Sequence, residues 1–201
     1  MDIEKVIKAF ENNEYIVKYF QTKEEAAAYI DSEIDGKVVG FGDSETLASM
    51  KMYELLAAHN TVYDPMHRPE GEGFKEEAIR TLVVDVFLTS VNALTENGEM
   101  VNIDGTGNRV AGSLFGHDKV YFVAGVNKIC PTLDDAIKRA RNIAAPLNSI
   151  RHGYCTPCAE KGDKCYDCHS KDRICNVIAI YLQKMNRAES ELVLINESLG
   201  L

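Results

Sequence analysis

The chain has 201 residues, 45% of them apolar, and a formal charge of −9 with a pI near 5.1. That length and apolar content suffice for one full-sized core, and no linker-like break interrupts them, so a single domain over residues 1–201 is expected. No run approaches the ~18 apolar residues of a membrane span, the opening Met-Asp-Ile-Glu-Lys lacks leader character, and the basic residues are scattered; a cytoplasmic protein with no membrane or nucleic-acid partner is expected.

Along the chain, Val6, Phe10, Ile16 and Phe20, then Ala26, Ala27, Ile30 and Ile34, recur at helical spacing and predict two opening helices broken near Asn12 and Asn13. Residues 37–42 read as a strand ending in glycine, 43–46 as a tight turn and the amphipathic stretch from there to Ala58 as a helix, the start of a βαβ unit. The alternation continues with a strand at 61–63, a helix at 72–80, and buried strands at 82–88 and 119–124. It predicts an α/β fold whose open, mostly parallel sheet is flanked by helices, with ligands beyond the carboxyl ends of the strands. Between the last two strands, Asn97-Gly98 flanked by β-forming residues predicts a hairpin over 92–103 with a type I′ turn. A helix capped by Thr132 is then expected to run to Ala144 and end at Pro146. Beyond the cysteine-rich loop, Asp172–Met185 reads as a helix and Glu191–Ile195 as a closing strand.

Five of the six cysteines follow the pattern Cys155-x2-Cys158-x6-Cys165-x2-Cys168-x6-Cys175, inside a polar segment, 152–175, too poor in apolar residues to order itself by burial. In a reducing compartment such clustering points to metal binding or redox chemistry rather than disulfides. His152 and His169 flank these thiols and could each replace one as a ligand; His59, His67 and His117 read as surface or capping residues.

Two glycine-rich turns precede helices. The first runs from Gly40 through Gly42 and Ser44 to Thr46; the second is Asn102-Ile-Asp-Gly-Thr-Gly-Asn-Arg109. Gly42, Ser44 and Thr46, with Gly105, Thr106, Gly107 and Asn108, suit an anion by backbone N–H groups and hydroxyls, though the same residues also serve as turn formers and caps. Neither turn carries a dinucleotide or P-loop fingerprint, so no NAD or ATP is expected. Arg109 can clamp a small carboxylate or phosphate. Glu96, Asp104 and Lys128 are candidates for acid–base work, and Asn97 and Asn127 for polar contacts to the same ligand.

The segments Gly42–Leu47, Thr95–Gly98, Asn102–Arg109 and Gly125–Ile129, with the cysteine-rich tail and the closing Glu197–Gly200, resemble the LUD-domain family, whose members include a lactate-utilisation protein. The resemblance implies a fold similar to ribose-5-phosphate isomerases and CoA transferases. It also implies a role beside iron–sulfur redox proteins in oxidising L-lactate to pyruvate. In the cysteine-bearing branch, the pattern Pro-Cys-x6-Cys-x2-Cys-x6-Cys falls on Cys158, Cys165, Cys168 and Cys175, which would hold a 4Fe-4S cluster or a zinc ion; Cys155 is a further possible ligand. The chain is the short stand-alone form, without ferredoxin-like cysteine runs. Three readings stand: an accessory or redox component of hydroxy-acid utilisation, a metabolite-binding regulatory module with structural zinc or no metal, and an isomerase- or transferase-like enzyme on a small anion, with Glu96 as base or nucleophile.

Overall fold

The computed structural model describes residues 2–201. The chain opens with helix α1 (Ile3–Asn12), strand β1 (Ile16–Phe20), α2 (Lys23–Glu33), β2 (Val38–Phe41), α3 (Glu45–Ser49), α4 (Met52–Ala57), β3 (Thr61–Tyr63), α5 (Phe74–Arg80) and β4 (Val86–Thr89). A hairpin follows, β5 (Ala93–Thr95) and β6 (Met100–Asp104), then α6 (Asn108–Leu114), β7 (Lys119–Gly125), a 3₁₀ turn over Val126–Lys128 and β8 (Ile129–Cys130). The last part comprises α7 (Leu133–Arg139), α8 (Ala145–Arg151), α9 (Pro157–Lys161), β9 (Val177–Tyr181) and β10 (Glu189–Ile195).

Six strands form one sheet in the order β1-β10-β7-β4-β2-β3, every neighbouring pair parallel. This is the open α/β sheet expected from the alternation. Its central strands are buried along most of their length because helices and the second sheet cover its faces. Along β7, Tyr121 and Val123 join the cluster under α2, α3 and α4, while Val120, Phe122 and Ala124 join the cluster holding Phe10 and Val6 of α1. Each such fully buried large side chain contributes roughly 1.5–3 kcal/mol.

The second sheet, in the order β8-β5-β6-β9, packs on the α1 side and carries the hairpin. Its loop, Glu96–Glu99, has four residues, so the expected two-residue type I′ turn does not form. The carbonyl of Thr95 accepts from Gly98 N–H, and Gly98 alone takes a left-handed φ of +92°. A turn closed by one left-handed glycine gives the strands the same twist.

Four other expectations fail for physical reasons. Ile16–Phe20 is a strand rather than a helix: its β-branched and aromatic side chains pair parallel with β10. The helix expected from the turn at 43–46 to Ala58 is divided at Lys51, whose φ is +55°. Pro146 does not end its helix, because a π-helical turn over Ala140–Ala144 widens the ladder just before it and α7 continues into α8 as far as Arg151. The helix expected at Asp172–Met185 is strand β9, drawn into antiparallel pairing with β6. Among the described residues no helix is long and apolar enough to cross a membrane.

Candidate functional site

Three adjacent parallel strands deliver polar groups to one point at their carboxyl ends. After β2, Ser44 caps α3, its Oγ accepting from Leu47 N–H, and Thr46 follows, fully buried. After β4 comes Ser90, and after β7 the 3₁₀ turn carries Lys128. From the second sheet, β6 ends at Asp104, whose two carboxylate oxygens accept from the N–H groups of Gly107 and Val110, both at 3.0 Å. That anchors the Gly105–Gly107 turn and presents Asn108 and Arg109. From α8, Arg151 pairs with Asp43 at 2.6 Å and with Glu45. These groups enclose a cavity of about 460 Å³.

Lys128 lies on the cavity wall and is only 3% exposed. Its Nζ donates to Ser90 Oγ at 2.9 Å and Thr46 Oγ1 at 3.1 Å, hydroxyls rather than a carboxylate. Burial, then the nearby guanidinium groups of Arg139 and Arg109, lowers its pKa to about 7. Arg139 itself is lowered by burial and spends its N–H groups on the carbonyls of Asn127 and Asn92. An acidic protein thus gathers Lys128, Arg109 and Arg139 in one place, with Asp104 already satisfied by backbone and Asp43 and Glu45 by Arg151.

The LUD domain family model matches residues 3–195. The chain belongs to the LUD-domain family. No curated protein matches it significantly. Among solved structures, a DUF162 family protein from Deinococcus radiodurans aligns at a TM-score of 0.54 and 11% identity, over 98% of this chain and 99% of that one. That likeness establishes a shared fold. Ribose 5-phosphate isomerase from Plasmodium falciparum aligns at a TM-score of 0.34 and 11% identity, over 54% and 52% of the two chains.

In this LUD domain, Ser44, Thr46, Asp104, Gly105, Thr106, Asn108, Arg109 and Lys128 all line the cavity. Gly42 lies behind it, where a Cβ would come within 3.0 Å of Thr89 Oγ1 and 3.1 Å of Arg109 Cγ. Gly107 turns the chain at φ +92°. Asn127 holds the C-terminal tail, its Oδ1 accepting from Leu199 N–H at 3.1 Å. Glu96 and Asn97 lie elsewhere, in the hairpin loop beside α1, where Glu96 pairs with Lys5 at 3.4 Å. The structure therefore does not bring Glu96 to the other candidates. Sequence reasoning missed Ser90, Arg139, Arg151 and its two carboxylates; only Asp43 and Glu45 had a visible marker, being inside the first glycine-rich turn.

The cysteine segment borders the same cavity. Ile174 lines it, and the backbone after Cys175 straps the second glycine turn: Asn176 N–H donates to Asp104 O, and Asn176 Nδ2 to Gly105 O. All six cysteines are free thiols. Cys155 is exposed; Cys158 Sγ lies 3.2 Å from Thr156 Oγ1; Cys165 Sγ accepts from Asp167 N–H and from Arg141. Arg173 donates to the carbonyls of Cys168 and Cys175. Burial pushes the Cys175 thiol up, with Cys165 and Cys168 adding to the rise. Among the described residues, no three His, Cys, Asp or Glu side chains are gathered into a metal-binding group.

Proposed function

We propose that this LUD domain is an enzyme component that binds a small hydroxy- or oxo-carboxylate in the cavity and acts on it with Lys128. The observation that carries the reading is the gathering of Lys128 and Arg109 on one cavity wall, close to Arg139 and without a carboxylate partner of their own, in a chain of net charge −9. Such a site gains from an anion what it lacks internally. Arg109 supplies a planar donor pair for a carboxylate, Asn108 and Thr106 further polar contacts, and Lys128 a nitrogen that exchanges its proton near neutral pH. The family's link to lactate utilisation narrows the class to short hydroxy acids and the oxo acids they interconvert with. Neither a bound metal nor a partner redox protein enters this reading.

Calorimetric titration of the full chain with pyruvate, L-lactate and inorganic phosphate tests it. Binding of one carboxylate is expected, weakened about tenfold or more in Arg109→Gln, the loss typical of one charge-assisted contact. Absence of heat with every anion, or affinity unchanged in that variant, would sink the proposal.

A further inference from the structure

We propose that Lys128 is a nucleophile as well as a proton carrier, forming an imine with the carbonyl carbon of a 2-oxo acid whose carboxylate is held by Arg109. The proposal deepens the anion-site reading and rests on it. The neutral amine has two N–H bonds, and two hydroxyl acceptors, Thr46 and Ser90, stand at 3.1 and 2.9 Å to take them. With Cε in the third position, the lone pair occupies the fourth. No carboxylate sits on the nitrogen to keep it protonated, and burial beside Arg139 and Arg109 favours the free amine.

The surroundings suit the chemistry of imine formation. Thr46, Ser90, Arg109 and Lys128 all line the cavity, and both hydroxyls stand within hydrogen-bond distance of the amine. Thr46 Oγ1 and Ser90 Oγ are themselves 3.3 Å apart, a continuous path for a proton from nitrogen to the carbonyl oxygen. The backbone at Gly200 packs close to the pair. A Cβ there would come within 2.4 Å of Thr46 Oγ1 and 3.2 Å of Lys128 Nζ.

In the step, the nitrogen lone pair forms the C–N bond while the carbonyl π pair moves to oxygen. A proton passes from nitrogen to that oxygen through the hydroxyls. The nitrogen lone pair then closes the C=N bond as the C–O bond breaks; the oxygen takes a second proton, from solvent, and leaves as water, and the protonated imine remains beside the carboxylate. No oxidant or reductant is consumed. The cation so formed withdraws electrons from the neighbouring carbon, which makes its C–H bond labile.

The test is reductive trapping on the intact chain. The protein is incubated with pyruvate, the smallest 2-oxo acid bearing a ketone, treated with borohydride, and mapped by peptide mass spectrometry. The expected result is one carboxyethyl group per chain, concentrated on the peptide carrying Lys128, formed faster as the pH is raised through about 7 and lost in Lys128→Arg. Because the map of the native protein already compares Lys128 with every surface lysine, the test does not depend on the variant folding. Labelling spread over surface lysines, or equal in Lys128→Arg, overturns the imine. If calorimetry shows pyruvate bound but Lys128 stays unlabelled, the imine fails and the anion site stands; if no anion binds at all, both fail.

Discussion

At the scale of single residues, Lys128 carries a cost of burial that pH can expose. Its folded pKa is about 7 against an ordinary 10.5. Below the folded value the amine is protonated in both states, and above the ordinary value it is neutral in both. Between them the unfolded chain holds the proton and the folded chain does not, so this group's contribution to stability is fully present above 10.5 and is lost as pH falls to about 7. Lys128→Met, similar in length and without the charge, is therefore expected to be more stable than the native chain at neutral pH. The gap should close by about 1.4 kcal/mol per pH unit as the solution is made alkaline. Urea midpoints of both proteins across that range check it; parallel curves would contradict the burial of a titrating amine. The sequence made Lys128, Arg109 and Asp104 visible because each sits in or beside a glycine-rich or strand-ending run. Ser90, although it follows a predicted strand, and Arg139 were not singled out, since what makes them matter is a neighbour far away in the chain.

At the scale of elements, the misread segments share a cause. Ile16–Phe20 and Val177–Tyr181 are short apolar runs compatible with either helical or extended spacing, and their state is decided by β10 and β6, strands distant in sequence. Arg151 was lost for a related reason: the helix was expected to stop at Pro146, and only the π turn before it lets α8 carry the guanidinium to Asp43. That pair ties α8 to the turn after β2, and both partners are mostly shielded, with side chains 23% and 16% exposed. Arg151→Met should cost about 1–3 kcal/mol, chiefly by leaving Asp43 with only its longer contact to His152 at 3.4 Å, measured as a lowered urea midpoint. Gly125 is the corresponding backbone constraint at the end of β7. Its φ of −77° suits any residue, but a Cβ would meet Glu197 O at 2.4 Å and Leu199 N at 2.8 Å, both backbone atoms. Gly125→Ala should therefore displace either the tail or the 3₁₀ turn bearing Lys128. The expected outcome is a loss of about 1–3 kcal/mol together with weakened pyruvate binding, and retention of both would show the tail to be free to move.

At the scale of the whole molecule, the site exists because two sheets meet. The parallel sheet supplies Thr46, Ser90 and Lys128; the smaller sheet supplies Asp104 and the Arg109 turn; α8 closes the side with Arg151. The cysteine segment meets this assembly through His152, Tyr154 and Ile174 and through the adjoining Asn176, and its sulfurs lie outside the three apolar clusters except for Cys175, which packs against the third. Its spacing was the plainest feature of the sequence, whereas its side-chain arrangement depends on a loop held mainly by polar contacts such as Arg173 with the carbonyls of Cys168 and Cys175. The core and the segment should consequently separate in experiment. Replacing Cys158, Cys165 and Cys168 together by Ser is expected to change the urea midpoint of the chelator-treated protein by no more than about 0.5 kcal/mol, the range of surface substitutions. Cys175→Ser places a hydroxyl against the third apolar cluster and should cost about 1–2 kcal/mol. A large loss from the triple replacement would mean that the thiols support the fold itself, and the comparison with and without chelator would then reveal whether they do so through a bound ion.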